Sequence, residues 1–149
     1  MSDVLEDLIT HCEGLAKIGM DGLVYPYICP AGHWTQGYGL LCEKGSPPIT
    51  QQEALIRLRQ RIPYYINETL FLCPGLIGAP RERLAAIVDF CFNLGAARLK
   101  SSTLRKRVNE QDWGGACREL EKWVYGGGKK LPGLVARRAL EVNLIRSTL

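Results

Sequence analysis

Apolar and polar positions follow helical spacing, then strand spacing, then helical spacing again along the 149-residue chain. Over residues 4–15, Val4, Leu5, Leu8, Ile9, Cys12 and Leu15 fall on one face at helical spacing, with Ser2 or Asp3 as the cap. Gly14 and Gly19 mark where that helix weakens and ends. From Gly22 to Cys42 the rhythm changes. Leu23, Val24, Tyr25, Tyr27 and Ile28 are strand formers, and Pro26, Pro30, Gly32, Gly37 and Gly39 shape turns. Two or three short antiparallel strands are predicted, with a turn at Cys29-Pro30-Ala31-Gly32. Thr50-Gln51-Gln52-Glu53 then forms a capping box. The helix behind it carries Ala54, Leu55, Leu58 and Ile62 on one side, and Pro63 is expected to kink or restart it. After a break at Cys73–Pro80 comes the most periodic stretch: Leu84, Ile87, Val88 and Cys91 predict a central core helix that Gly95 stops. Short helices are expected from Ser101 or Ser102 to about Val108, and from Gly115 to Val124. Gly126-Gly127-Gly128 reads as a flexible loop. A last helix runs from near Pro132 to Ser147. Helix, small sheet, then helices only is the pattern of an α+β fold.

Composition narrows the class. At 46% hydrophobic and 23% charged, the chain is neither a disordered tail nor a membrane span. The length suits one domain or two small lobes. No stretch approaches the roughly 18 apolar residues of a membrane helix. The acidic start, Met1-Ser2-Asp3-Val4-Leu5-Glu6-Asp7, lacks the pattern of a secretory signal, so the expectation is a chain made and kept in the cytosol until released. The six cysteines contain no CxxC pair, which speaks against a zinc site, and a reducing compartment speaks against disulfides. Cys91 in its apolar stripe reads as a buried small hydrophobe. Charge is uneven: residues 1–96 carry 7 Lys/Arg against 10 Asp/Glu, and residues 97–149 carry 12 against 5. That asymmetry suits an anionic partner, such as nucleic acid, a membrane surface or an anionic polymer, or simply an uneven solvated surface.

Candidate chemistry gathers at the helix–sheet junction. Cleaving a sugar polymer needs a carboxylic acid kept protonated near neutral pH and a second group across the bond. Glu13, at the end of the first helix, is a candidate acid; the plain alternative is a surface glutamate. Cys29 lies before the Pro30-Ala31-Gly32 turn, and Thr35 follows six residues on. On neighbouring strands both could face one cleft, or be a buried thiol and an ordinary strand threonine. Asp21 is a rival carboxylate, although Gly22 beside it suggests a turn. His33 and Trp34 read as turn and packing residues. There is no metal constellation, phosphate loop or GxSxG elbow.

Glu13-Gly14, Cys29-Pro30-Ala31-Gly32 and Thr35-Gln36-Gly37-Tyr38-Gly39 together resemble the phage-type lysozymes, the endolysin family that includes the T-even phage lysozyme. Phe92-Asn93-Leu94-Gly95 with Ser101-Ser102-Thr103-Leu104, and the stretch from Trp123 to Arg138, agree with the family's core helix and C-terminal signature. The chain departs in two ways. Cys29 follows Glu13 by sixteen positions where the family usually has nine, which implies an insertion near Lys17–Gly22. Cysteine also stands where the best-known members have aspartate, as in a subgroup with the CPAG turn.

The resemblance implies a lysozyme-like fold, with a small antiparallel β lobe at about 15–48, a helical lobe at about 50–149, and a cleft between them. It implies hydrolysis of the β-1,4 bond between N-acetylmuramic acid and N-acetylglucosamine in peptidoglycan. Glu13 would protonate the leaving oxygen, and Cys29 with Thr35 would act across the sugar. Arg137 or Arg138 would partner Glu13, if neither is a surface arginine. A free thiol titrates near ~8.5, so Cys29 would be a weak base unless its pKa is lowered. Implied too are a monomer with no cofactor or metal, no nucleic-acid partner and no stable membrane insertion. A holin would release it from host cytoplasm to periplasm and cell wall. A lytic transglycosylase, needing one acid and no water activation, is the mechanistic alternative. A non-catalytic cell-wall or nucleic-acid-binding module is the other.

Overall fold

A computed structural model describes residues 3–149. The fold is α+β. Seven α-helices, a three-stranded antiparallel sheet and a two-stranded ribbon are assigned among the described residues. They divide into two compact units, one spanning Ile9–Pro63, the other Tyr64–Leu149 with the N-terminal residues through Leu8.

Helix α1 (Val4–Glu13) buries Leu5, Leu8 and Ile9. Asp3 caps it, its Oδ1 accepting from the amides of Leu5 at 3.0 Å and Glu6 at 3.2 Å; the other expected cap, Ser2, lies outside the described residues. Gly14 ends the helix in a left-handed conformation (φ +62°) and donates to the Thr10 carbonyl, the usual device for closing a helix C-terminus.

In the Ile9–Pro63 unit the sheet follows the predicted rhythm. Strands β1 (Tyr27–Ile28), β2 (Trp34–Gln36) and β3 (Leu40–Leu41) pair in chain order, with Tyr27 opposite Thr35 and Thr35 opposite Leu41. Beneath them lies a small core of Val24, Ile49 and Ala54, with Leu15 and Tyr38 against it. The proposed insertion is a tight hairpin. Ile18 bridges Val24, and the Gly19 amide donates to the Leu23 carbonyl. Buried Gln36 ties the unit together by donating to the carbonyls of Val24 and Pro47, both at 3.0 Å.

Helix α2 (Gln51–Leu72) starts as read, with Thr50 Oγ1 accepting from the Glu53 amide at 3.0 Å. Of the kink or restart expected at Pro63, the restart does not occur: the helix runs through it, 22 residues in all. The proline is exposed, and the helix carries its usual cost, a lost amide donor and a clash with the carbonyl four residues back, of about 3 kcal/mol.

In the other unit, helix α3 (Arg81–Leu94) is the central element, buried continuously from Ala85 to Cys91 and stopped by Gly95 at φ +94°. A five-residue helix α4 (Ala96–Lys100), not anticipated from the pattern, precedes α5 (Thr103–Asn109), which Ser102 caps. Helix α6 is Trp113–Leu120, shifted and shorter than expected because Asp112 caps it by accepting from the Gly115 amide at 2.9 Å. The triple glycine is not a loose loop. Strands β4 (Tyr125–Gly126) and β5 (Lys129–Lys130) pair across it, and Gly127 and Gly128 both take positive φ, as a two-residue hairpin turn requires. Helix α7 (Pro132–Arg146) closes the unit. Phe90, Leu99, Leu104, Leu120 and Ile145 are fully buried in its core.

Candidate active site

Helix α1 delivers Glu13 as its last residue, half-buried. Its carboxylate lies directly over the backbone at Gly39: a Cβ there would stand 2.8 Å from Oε2 and 3.2 Å from Cδ. Gly39 also has φ +78°, so two independent demands exclude a side chain at the end of the Thr35–Gly39 segment. The carboxylate is thereby placed on the same short segment that holds Thr35.

Cys29 sits at the head of the β1–β2 turn. The Gly32 amide donates to the Cys29 carbonyl at 2.8 Å, and the Cys29 amide donates to the His33 carbonyl at 2.9 Å. The turn wraps its remaining donors around the sulfur. The His33 amide is the foremost influence holding the thiol below its usual range. The Thr35 hydroxyl comes next, and the Ala31 and Gly32 amides add to it, while partial burial pushes the other way. Successive amides aimed at one point form an anion nest. The buried Thr35 hydroxyl also donates to the His33 carbonyl at 3.0 Å, so two acceptors compete for its one proton. The other cysteines behave oppositely where they are buried. Burial pushes Cys73 up to about 11, and raises Cys91 and Cys117. Cys91 is the inert core thiol its stripe suggested; Cys29 differs in kind.

Tyr27 was not singled out in the sequence. It is opposite Thr35 and two residues before Cys29, so strand alternation sets all three on one face. Burial raises its phenol pKa, and the charges of Glu13, Cys29 and Cys42 raise it further. The period-two spacing of Tyr27 and Cys29 was the available signal.

Asp21 does other work. Its Oδ1 accepts from the Leu23 amide at 3.0 Å and its Oδ2 from the Tyr25 hydroxyl. The Tyr25 bond first, then the Leu23 amide, holds the carboxyl below its ordinary range. A carboxyl so stabilised as its anion is a poor proton donor. His33 is exposed in the turn, and Trp34 is a half-buried strand residue opposite Ile28.

Neither arginine is a surface residue. Arg137 is buried and grips Asp89 with two hydrogen bonds, 2.9 and 2.8 Å. Arg138 is 1% exposed. It donates to Glu141 at 2.7 Å and Asn93 at 2.9 Å, and lies over the Phe90 ring. Burial, then a hydrogen bond with Asp89, pushes the Glu141 carboxyl well above its ordinary range.

A helix-end carboxylate beside a small antiparallel sheet, in a chain otherwise made of helices, is a lysozyme-like α+β arrangement. Residues 20–141 match the phage lysozyme family, and the chain belongs to it. That span includes Cys29 and Thr35. The chain is 36% identical over 128 residues to an endolysin of Acyrthosiphon pisum secondary endosymbiont phage 1, covering 81% of this chain and 85% of that one. It is 32% identical over 133 residues to a SAR-endolysin of bacteriophage PS119, covering 83% and 74%. Its structure resembles the muramidase domain of SpmX from Asticaccaulis excentricus, with a TM-score of 0.79, 26% identity, and coverage of 97% and 95%.

Proposed function

We propose that Glu13, Cys29 and Thr35 are the catalytic residues of this chain. The chain is a peptidoglycan hydrolase with lysozyme activity, an endolysin. The bond assigned to it is the β-1,4 link from N-acetylmuramic acid to N-acetylglucosamine. In this reading Glu13 gives its proton to the bridging oxygen as the bond to the muramic C1 breaks. The Cys29 sulfur, carried as thiolate by the turn amides, opposes the positive charge that develops on the ring. Thr35 orients the sulfur and the water that completes the cleavage. The reading extends to one catalytic domain over residues 1–149 and to a monomer. The chain would pass from host cytoplasm to the wall by way of a holin.

One observation carries it: the half-buried Glu13 carboxylate rests on Gly39, at the end of the segment bearing Thr35, whose hydroxyl helps hold the Cys29 thiol below its usual range. General-acid catalysis contributes about 10²–10⁴-fold. Glu13→Gln is therefore expected to lose at least a hundredfold of lytic rate on permeabilised Gram-negative cells, with an unchanged melting temperature. Undiminished lysis would remove Glu13 from the role. An anionic sulfur can also activate water, which weakens the case for a transglycosylase built on a feeble thiol. Mass spectrometry of the products separates the two: reducing muramic ends mark hydrolysis, 1,6-anhydro ends mark transglycosylation.

A further inference from the structure

The Tyr64–Leu149 unit carries a groove that the proposed chemistry does not use. It runs along one face of α7, beside the β4–β5 hairpin. One half, about 440 Å³, is walled by Pro132, Val135, Ala136 and Ala139, all aliphatic, with Lys130 at its edge. The other half, about 320 Å³, shares Lys130, Val135 and Ala139 with the first and adds Arg138, Asn143 and Arg146. One carboxylate, Glu121, faces this half and lies 3.7 Å from Arg146. The two halves share lining residues; the first is aliphatic, and the second sets Lys130, Arg138 and Arg146 among Val124, Val135 and Val142.

Three further features bear on what fills it. Arg138 forms the inner wall, and its Nε has no acceptor among the described residues. Its carboxylate partner, Glu141, is fully buried and accepts from it at 2.7 Å. Tyr125, Leu131 and Val135 are apolar side chains left exposed in the stretch that holds Lys129 and Lys130. An aliphatic wall set with cations matches a molecule with an anionic head and a hydrocarbon continuation. The twelve-to-five excess of basic over acidic residues in 97–149 supplies the long-range attraction.

We propose that this groove binds an anionic phospholipid at a membrane surface, with the phosphate on Lys130 and Arg146 and the first methylenes along Val135 and Ala139. The full chain is sedimented with vesicles of phosphatidylcholine alone, and of equimolar phosphatidylcholine and phosphatidylglycerol. Binding to the mixed vesicles is expected to exceed binding to the neutral ones by at least tenfold and to weaken with salt. Lys130→Glu is expected to reduce it about thirtyfold, since one basic residue near such a surface contributes about 1 kcal/mol and reversal doubles the change; Val135→Ser is expected to reduce it severalfold by removing apolar contact with the acyl chain. Both variants should keep the parent's melting temperature and its rate on soluble peptidoglycan fragments. Lys106→Glu changes the same charge at an exposed position outside the groove and should bind nearly as the parent. Equal losses in Lys106→Glu and Lys130→Glu would reduce the effect to net charge and overturn the groove. So would vesicle binding indifferent to Val135→Ser, or calorimetric binding of glycerol phosphate without any vesicle binding.

Discussion

The chemistry of single residues here is set mostly by backbone. Cys29 owes its depressed pKa to amides of its own turn and to one hydroxyl, Thr35. Thr35→Val keeps the shape but removes that donor, so the thiolate loses support and its pKa rises. If activity needs the thiolate, its ascending limb should move to higher pH, as would the pH dependence of Cys29 alkylation by iodoacetamide. An unmoved alkylation profile would show that the amides alone hold the sulfur. Cys73, pushed up to about 11 by burial, should stay unmodified in the native protein. Gly39 is the second sensitive position. Alanine there would adopt a left-handed conformation costing about 1–2 kcal/mol. It would also drive a methyl group against Oε2 of Glu13, 2.8 Å away. Gly39→Ala is expected to lower the melting temperature and to cut kcat more than the stability loss explains, because the displaced group is the proposed acid.

At the scale of elements, legibility followed how local the determining signal was. The core helix α3 and the caps at Thr50 and Ser102 are written in adjacent residues, and they were readable. The β1–β2 turn was readable because Pro30 and Gly32 dictate it locally. Helix α4 was missed because Ala96–Lys100 is too short to show a period; it exists because Leu99 is pinned in the core. The Gly126–Gly128 hairpin was read as loose because the glycines advertise freedom, while pairing of Tyr125 with Lys130 uses that freedom for one specific turn. In the candidate site, Glu13, Cys29 and Thr35 were visible as a spaced motif. The nest around the sulfur, and the contact between Glu13 and Gly39, depend on turn geometry and long-range packing. Asp112 is the cap that displaced α6 from its expected start, and the measure of that signal is direct. Asp112→Ala should cost about 0.5–2 kcal/mol in denaturant unfolding, with lytic activity per folded molecule unchanged.

Across the whole molecule, the charged groups that matter for stability are not the visible surface excess but a buried set in the Tyr64–Leu149 unit. Asp89 and Glu141 are fully buried, with Arg137 and Arg138 beside them. Asn93 on α3 accepts from Arg138, so the groups facing Glu141 are Asp89, Arg138 and, through Asp89, Arg137. Burying two carboxylates together favours keeping one protonated, and Glu141 is the one held toward the acid form. The sign of the consequence follows from linkage. A carboxyl whose folded pKa lies above its unfolded value binds a proton more tightly when folded. Its contribution is fully present below the ordinary carboxyl range and is lost as pH rises toward the folded pKa. The native protein should therefore lose stability through this group as pH rises above the ordinary carboxyl range toward the folded pKa, the reverse of an ordinary ion-paired carboxylate. Glu141→Gln preserves the shape, an acceptor for Arg138 and a donor toward Asp89, yet carries no proton to lose. Thermal melts should show parent and variant close together near pH 5, with the variant the more stable at pH 8. A constant gap across that range would mean that Glu141 is ionised in the fold and that Arg138 neutralises it.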